Sequence, residues 1–349
     1  MSRGVVWQRG GRRASFAWSL ALACLIACAP GGDGDGDATL VVDDAPGDLR
    51  GDVEALIEAS GAEVAVAMRT LDGALELLIE PDLEMHAAST MKVPVMIELF
   101  RRAEQGELTL ADPIEVTNEF SSIVDGSPYT MSADEDSEGE LYSAIGSERT
   151  LRHLCEAMIT WSSNLATNIL IDFLGAERIQ ATTDELGASG MKVLRGVEDI
   201  KAFDAGLSNS TTARALLVLL EKLGRGEVVS ADASEQMVAI LRRQQFGEAI
   251  PAGLPPGTVV AHKTGNITRI HHDAALVEIE RPYVLVVLVR GIEDRAQSAA
   301  LIASIARRVH AAVTAGAEKD VDTGDTGDTG DTGDTGDTGD AVGTVEAAA

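Results

Sequence analysis

Cysteine is scarce in this 349-residue chain: Cys24, Cys28 and Cys155 are the whole supply. Two of them sit within the first 28 residues, which leaves no pair to cross-link a folded core and excludes a disulfide scaffold. Cys155 has no paired histidine or cysteine motif around it and reads as a small buried apolar side chain, not a nucleophile. Aromatic residues make up 3% of the chain, and 28 bases face 56 acids for a net charge of −28. Neither a basic patch nor an aromatic platform is present, so nucleic acid is not an expected partner. The apolar stretch from Phe16 to Ala27 falls short of the roughly 20 residues that a membrane-spanning helix needs. Histidine is sparse as well. His262, His271 and His272 cluster with Asp273 but match no familiar zinc spacing, so no metal and no cofactor is expected. His262 and His271 are assigned structural places, and His272 the rim of a cleft.

The two ends of the chain do not read as core. Arg3, Arg9, Arg12 and Arg13 precede the apolar stretch, the charge-then-apolar form of a secretory signal. Leu25-Ile26-Ala27-Cys28 resembles a bacterial lipobox, which implies that Cys28 carries a lipid; an ordinary signal peptide or a membrane anchor is the alternative. Arg12-Arg13 leaves both the general and the twin-arginine export routes open. Residues 1–27 are thus expected to be a lipoprotein signal peptide and residues 28–48 a Gly/Asp-rich tether. The chain is then exported and lipid-anchored in a bacterial cell envelope, its membrane contact made through the N-terminal lipid. From Asp322 to Asp340 the triplet Asp-Thr-Gly repeats without interruption. With no apolar residue to bury, residues 318–349 are expected to be a disordered, solvated spacer, with Ca²⁺ binding or a surface role as the alternative. Much of the negative charge lies in these ends and speaks of solubility, not catalysis.

At this length the chain exceeds the size at which one core usually stops growing, yet the folded candidate is shorter, residues 49–317. Leu49 to Ala59 has an amphipathic helical pattern with Val53, Leu56 and Ile57 on one side. Glu63 to Leu71 and Ala74 to Glu80 read as strands joined at Asp72-Gly73. From Ser89 to about Leu223 the pattern is mostly helical, with long connections. Thr258 to Thr264, Ala274 to Ile279 and Tyr283 to Val289 return to strand, and Ala296 to Val313 forms a closing helix. This order predicts an α+β fold: one antiparallel sheet flanked by helices and built from both termini, with an all-helical lobe, about residues 87–225, inserted between. A site is expected in the cleft between sheet and lobe.

Three short motifs fall on that plan: Ser89-Thr90-Met91-Lys92, Ser162-Ser163-Asn164 and Lys263-Thr264-Gly265. In this order they resemble the S-x-x-K, S-x-N and K-T-G elements of class A β-lactamases and penicillin-binding proteins. The resemblance covers nearly the whole core and is nearest to class A-like serine hydrolases.

A serine hydroxyl is a poor nucleophile until a neighbouring base takes its proton. Ser89 and Lys92 stand three residues apart, so on a helix they share a face. Lys92 becomes a candidate base if burial and a second cation such as Lys263 lower its pKa. Pro94 argues against an undisturbed helix here. The resemblance implies that Ser162 relays a proton to the leaving nitrogen and that Asn164 binds the substrate's side-chain amide. It implies that Lys263 and Thr264 bind a carboxylate and that Gly265 lets the strand approach closely. The backbone N–H groups of Ser89 and Asn266 would then form an oxyanion hole. Many class A enzymes carry Asp where this chain has Ser163, and some link the position of Cys155 to that of Met96, which no cysteine occupies here.

β-Lactamases and cell-wall peptidases share acylation; fast release of the acyl group to water needs a second base. Arg195-Gly196-Val197-Glu198-Asp199 lies where class A enzymes hold a glutamate for this purpose, making Glu198 the candidate and Asp199 its rival. The expected activity is β-lactam hydrolysis through an acyl-enzyme on Ser89, by a monomer acting on a small-molecule β-lactam or a peptidoglycan-like substrate. A D-alanyl-D-alanine carboxypeptidase or a non-catalytic lipid-anchored surface protein is the alternative. The acidic stretch Asp125 to Glu140 is expected to be a rim loop or a solvated insertion.

Overall fold

Strand-forming sequence from both ends of residues 48–322, the part that this computed structural model describes, meets in one sheet. An opening helix α1 (Leu49–Ser60) leads into β1 (Glu63–Thr70) and β2 (Glu76–Ile79), and the chain returns at its far end as β3 (Val259–Ile267), β4 (Ile270–Glu278) and β5 (Tyr283–Arg290). The spatial order is β2-β1-β5-β4-β3, antiparallel throughout, with β3 at an edge. The returning strands are longer than the apolar runs suggest. Ladder hydrogen bonds carry β3 beyond Gly265 to Ile267 and start β4 at Ile270, because pairing does not require each residue to be apolar.

Because successive strand residues face opposite ways, the sheet has two buried faces. Val64, Val66, Met68, Leu285 and Val287 point to one side with α1 and the closing helix α9 (Arg295–Asp322). Ala65, Ala67, Ala274, Val284 and Val286 point to the other, where the inserted lobe packs. Burial on both sides explains why these strands read as nearly continuous apolar runs.

The lobe comprises α2 (Lys92–Glu104), α3 (Leu151–Thr160), α4 (Asn164–Leu174), α5 (Ala176–Glu185), α6 (Ile200–Asp204), α7 (Ala213–Gly224) and α8 (Ala231–Leu241). Helix α7 lies against β1, β4 and β5 and joins lobe to sheet. Three short antiparallel pairings pin the connections, among them Met85–His86 with Ser210–Thr211. Cys155 is fully buried in α3 and free, and Met96 on α2 is fully buried too. Burial pushes the Cys155 thiol up to about 12, so it stays an inert apolar side chain.

Helix α9 runs to Asp322, past the expected boundary at residue 317. Ala, Glu and Lys continue a helix well, and it ends where the Asp-Thr-Gly repeat begins. Residues 1–47 and 323–349, with Cys28, the tether and the rest of the repeat, lie outside the described residues. Among the described residues no helix is long and apolar enough to cross a membrane.

Candidate active site

The first motif is not the opening turn of an α-helix. Residues Ala88–Met91 form a 3₁₀ turn, entered through Ala88 at φ 46°, and α2 begins only at Lys92. That shift resolves the expected conflict at Pro94. Proline falls in the first turn of α2, where the missing N–H has no intrahelical partner to lose. The turn is tied down by Thr90, whose N–H and hydroxyl both donate to the Ala87 carbonyl, at 3.1 and 2.7 Å. Ser89 is left half-buried, and among the described residues none hydrogen-bonds its hydroxyl.

The two motif lysines converge on Ser162 instead of on Ser89. Lys92 Nζ donates to Ser162 O at 2.7 Å, Ser162 Oγ at 3.2 Å and Asn164 Oδ1 at 2.8 Å, which uses all three ammonium protons. Lys263 Nζ reaches the same Ser162 Oγ at 3.1 Å and its neighbour's carbonyl, Thr264 O, at 2.9 Å. Ser162 sits at the α3–α4 junction in the left-handed region, φ 59°, a strained conformation for a residue with a side chain. Both lysines are fully buried. Burial brings Lys92 down to about 7, against the opposing pull of Asp136 and Glu198. Lys263 is driven well below its ordinary value, first by burial and then by repulsion from Lys92.

Lys263 lies mid-strand in β3, not at its end, opposite Ala274. Strand alternation turns Thr264 to the other side, opposite Asp273. Thr264 is therefore not gathered into the lysine cluster, and its hydroxyl bonds to no other described group. Gly265 explains the close seating of β3 on the first motif. A Cβ there would lie 3.1 Å from Ala88 Cβ and 3.2 Å from the Ser89 backbone nitrogen. The neighbouring residue Asn266 helps line a cavity of about 440 Å³ with Ala88, Glu135, Asn164, Glu198 and Phe203.

Glu198 and Asp199 separate cleanly. Glu198, at φ 61°, turns inward, and its Oε1 accepts from Asn164 Nδ2 at 2.7 Å. Asn164 thereby bridges Lys92 to Glu198. Burial raises the Glu198 pKa, and the nearby acids Asp136 and Glu135 add to the rise while the Asn164 bond and Lys92 oppose it. Asp199 turns away, accepting from Ser122 Oγ, Ile123 N and Ala202 N, where it caps α6.

The loop carrying Glu198 is held by residues that no short motif marked. Asn168 clamps Val197 through both its N–H and its carbonyl, and Asn209 does the same for Arg195. Buried Arg195 donates to Leu207 O and Gly196 O. A Cβ at Gly196 would meet Asn168 Oδ1 at 2.5 Å, so a side chain there would push the Asn168 amide off its clamp on Val197.

His272 is a correction: it is fully buried in the core, not on the rim. Its Nε2 donates to His86 O, its Nδ1 accepts from Val289 N, and burial lowers its pKa to about 4. Residue His86 lines the cavity instead. The His262 ring pairs with Asp273 at 2.9 Å, and His271 bonds Ser298, both on the side of the sheet that faces α9. Among the described residues no three such side chains are grouped to hold a metal ion.

Comparison with known proteins agrees with this architecture. A profile of the "Beta-lactamase enzyme family" matches residues 48–313. β-Lactamase OXY-2 of Klebsiella oxytoca is 27% identical over 213 residues, 60% of this chain and 69% of the relative. A variant of the last common ancestor of Gram-negative bacterial class A β-lactamase superposes with a TM-score of 0.66 at 25% identity, over 77% of this chain and 99% of that one. A mutant of PBP-A, solved as an acyl-enzyme complex with penicillin G, gives 0.65 at 27% identity over 76% and 96%.

Proposed function

The chain belongs to the β-lactamase enzyme family, and we propose that it opens β-lactam rings through an acyl-enzyme on Ser89, from which water activated by Glu198 releases the product. The observation that carries this reading is the continuous chain of contacts from Lys263 through Ser162, Lys92 and Asn164 to Glu198. It supports this reading because Lys92, lowered to about 7, and the carboxylate of Glu198 are joined through one amide.

In this scheme neutral Lys92 takes the Ser89 proton as the oxygen attacks the lactam carbonyl carbon. The backbone N–H groups of Ser89 and Asn266 receive the developing oxyanion. When the C–N bond breaks, Ser162 gives its proton to the leaving nitrogen and is resupplied by Lys92. Lys263 holds Ser162 and offers positive charge to the substrate carboxylate. Glu198 then takes a proton from water as its oxygen attacks the ester carbonyl, and that proton returns to the Ser89 oxygen when the ester bond breaks.

Turnover of a chromogenic cephalosporin tests the proposal. The wild-type chain hydrolyses it, Ser89→Ala does not, and Glu198→Ala accumulates an adduct visible by intact mass. A wild-type adduct that persists for hours would instead identify a peptidase, and unchanged deacylation in Glu198→Ala removes Glu198 from the mechanism.

The same reading places the enzyme outside the cytoplasm as a monomer, anchored by lipid on Cys28, on the strength of the Arg-rich, apolar leader ending in Leu25-Ile26-Ala27-Cys28. Labelled palmitate should enter the wild type and be lost in Cys28→Ser; equal labelling of both would remove the anchor.

A further inference from the structure

The second motif contains no acid of its own, yet a carboxylate sits on it. Asp136, from the acidic stretch before α3, accepts from Asn164 N at 3.0 Å through each oxygen and from Leu165 N at 2.9 Å. Tyr142 OH donates to the same carboxylate at 3.1 Å. The next two N–H groups of α4 are met from Ser163, Ala166 N by its hydroxyl and Thr167 N by its carbonyl. All four donors of the helix start are thus satisfied, the first two from a residue 28 positions earlier. The first of them belongs to Asn164, whose side chain joins Lys92 to Glu198.

We propose that Asp136 is a positioning residue of the active site, holding the Asn164 backbone so that its amide spans Lys92 and Glu198, and setting the charge that both of them feel. The proposal rests on the function assigned above. Asp136 contacts neither the reacting serine nor Glu198 directly; it acts through Asn164 and through its field. The groups facing Lys92 are Ser162 from the α3–α4 junction, Lys263 from β3, Glu198 from the loop before α6, and Asp136. Glu198 is faced by Asn164, Asp136, Glu135 and Lys92, and its charge is also felt by Tyr129 and Tyr142. In both cases the Asp136 charge favours the protonated form. Neutralising it therefore makes both groups lose their protons at lower pH.

Asp136→Asn keeps the shape and removes the charge, whereas Asp136→Glu keeps the charge on a longer arm. Both are compared with wild type in the whole chain, by pH profiles of chromogenic cephalosporin turnover and by melting temperature. Loss of a charge-assisted anchor predicts a fall in kcat/KM of about tenfold or more for Asp136→Asn. The acid limb of the profile should move to lower pH, and Asp136→Glu should return it toward the wild-type position. Wild-type rates and an unmoved limb in Asp136→Asn overturn the proposal. So does a loss of rate that follows melting temperature with the limb unmoved, since capping alone then accounts for it. If the wild type neither turns over nor acylates, the functional reading itself fails; if it turns over and Asp136→Asn matches it, only the role of Asp136 is lost.

Discussion

His262 and Lys263 are neighbours on one strand, yet they enter two buried polar clusters of opposite character. On the side facing α9, His262 meets Asp273, whose other oxygen accepts from Ile250 N at 3.0 Å. Each partner there is matched to a group of complementary polarity, a structural solution to burying polar atoms between strand and helix. On the cleft side Lys263 and Lys92, two amines, share one hydroxyl, and both lysines are shifted down. Ser162 and Glu198 beside them hold left-handed backbone. The His262–Asp273 pair is matched; the lysine cluster is kept frustrated, the condition that the proposed proton transfers would exploit.

Lys263→Ala and Asp273→Asn pull the two apart. Removing the Lys263 cation should lower kcat/KM by about 10²–10³ while the fold persists. Asp273→Asn instead strips one partner from a buried pair and should cost about 1–3 kcal/mol in urea unfolding. Its kcat should stay within about threefold of wild type, because Asp273 reaches the cleft only through a field on Lys263. A kcat that collapses in Asp273→Asn without a loss of stability would merge the two clusters into one catalytic unit.

The parts legible in the sequence were those with a local signature. Strands buried on both faces announce themselves as apolar runs, and three motifs mark Ser89, Ser162 and Lys263. The resemblance also pointed to Glu198 with Asp199 as its rival, but their different surroundings had no local signature: Asp199 caps α6 and Glu198 turns inward to Asn164. Asp136 carried no signal, because its partners lie 28 and 29 residues away and nothing in an acidic loop marks which acid turns in. The 3₁₀ form of the first motif had one clue, Pro94, read as an obstacle when it marks where α2 starts. His272 was misplaced because strand periodicity tells which residues share a face, not how deeply β3 and β4 lie beneath the lobe.

The smallest expected effect is also the sharpest test of frustration. A lysine titrating near 7 in the folded chain and near 10.5 when unfolded binds more protons in the unfolded state throughout that interval. Stability then rises as pH goes from about 7 to about 10.5, and below 7 the folded chain carries the whole burden of a buried charge. Lys92→Met removes this term but leaves Ser162 O, Ser162 Oγ and Asn164 Oδ1 without their donor. These losses offset most of the gain, so a net stabilisation of about 1 kcal/mol at pH 7 is expected, in an inactive protein. Lys263, freed from its charged neighbour, titrates higher in the variant and contributes less of the rise as well. Urea unfolding of the variant should therefore depend less steeply on pH between 7.5 and 10 than that of wild type. Parallel curves would mean that burial sets no penalty on the charge of Lys92, and the contrast between the two clusters would fail.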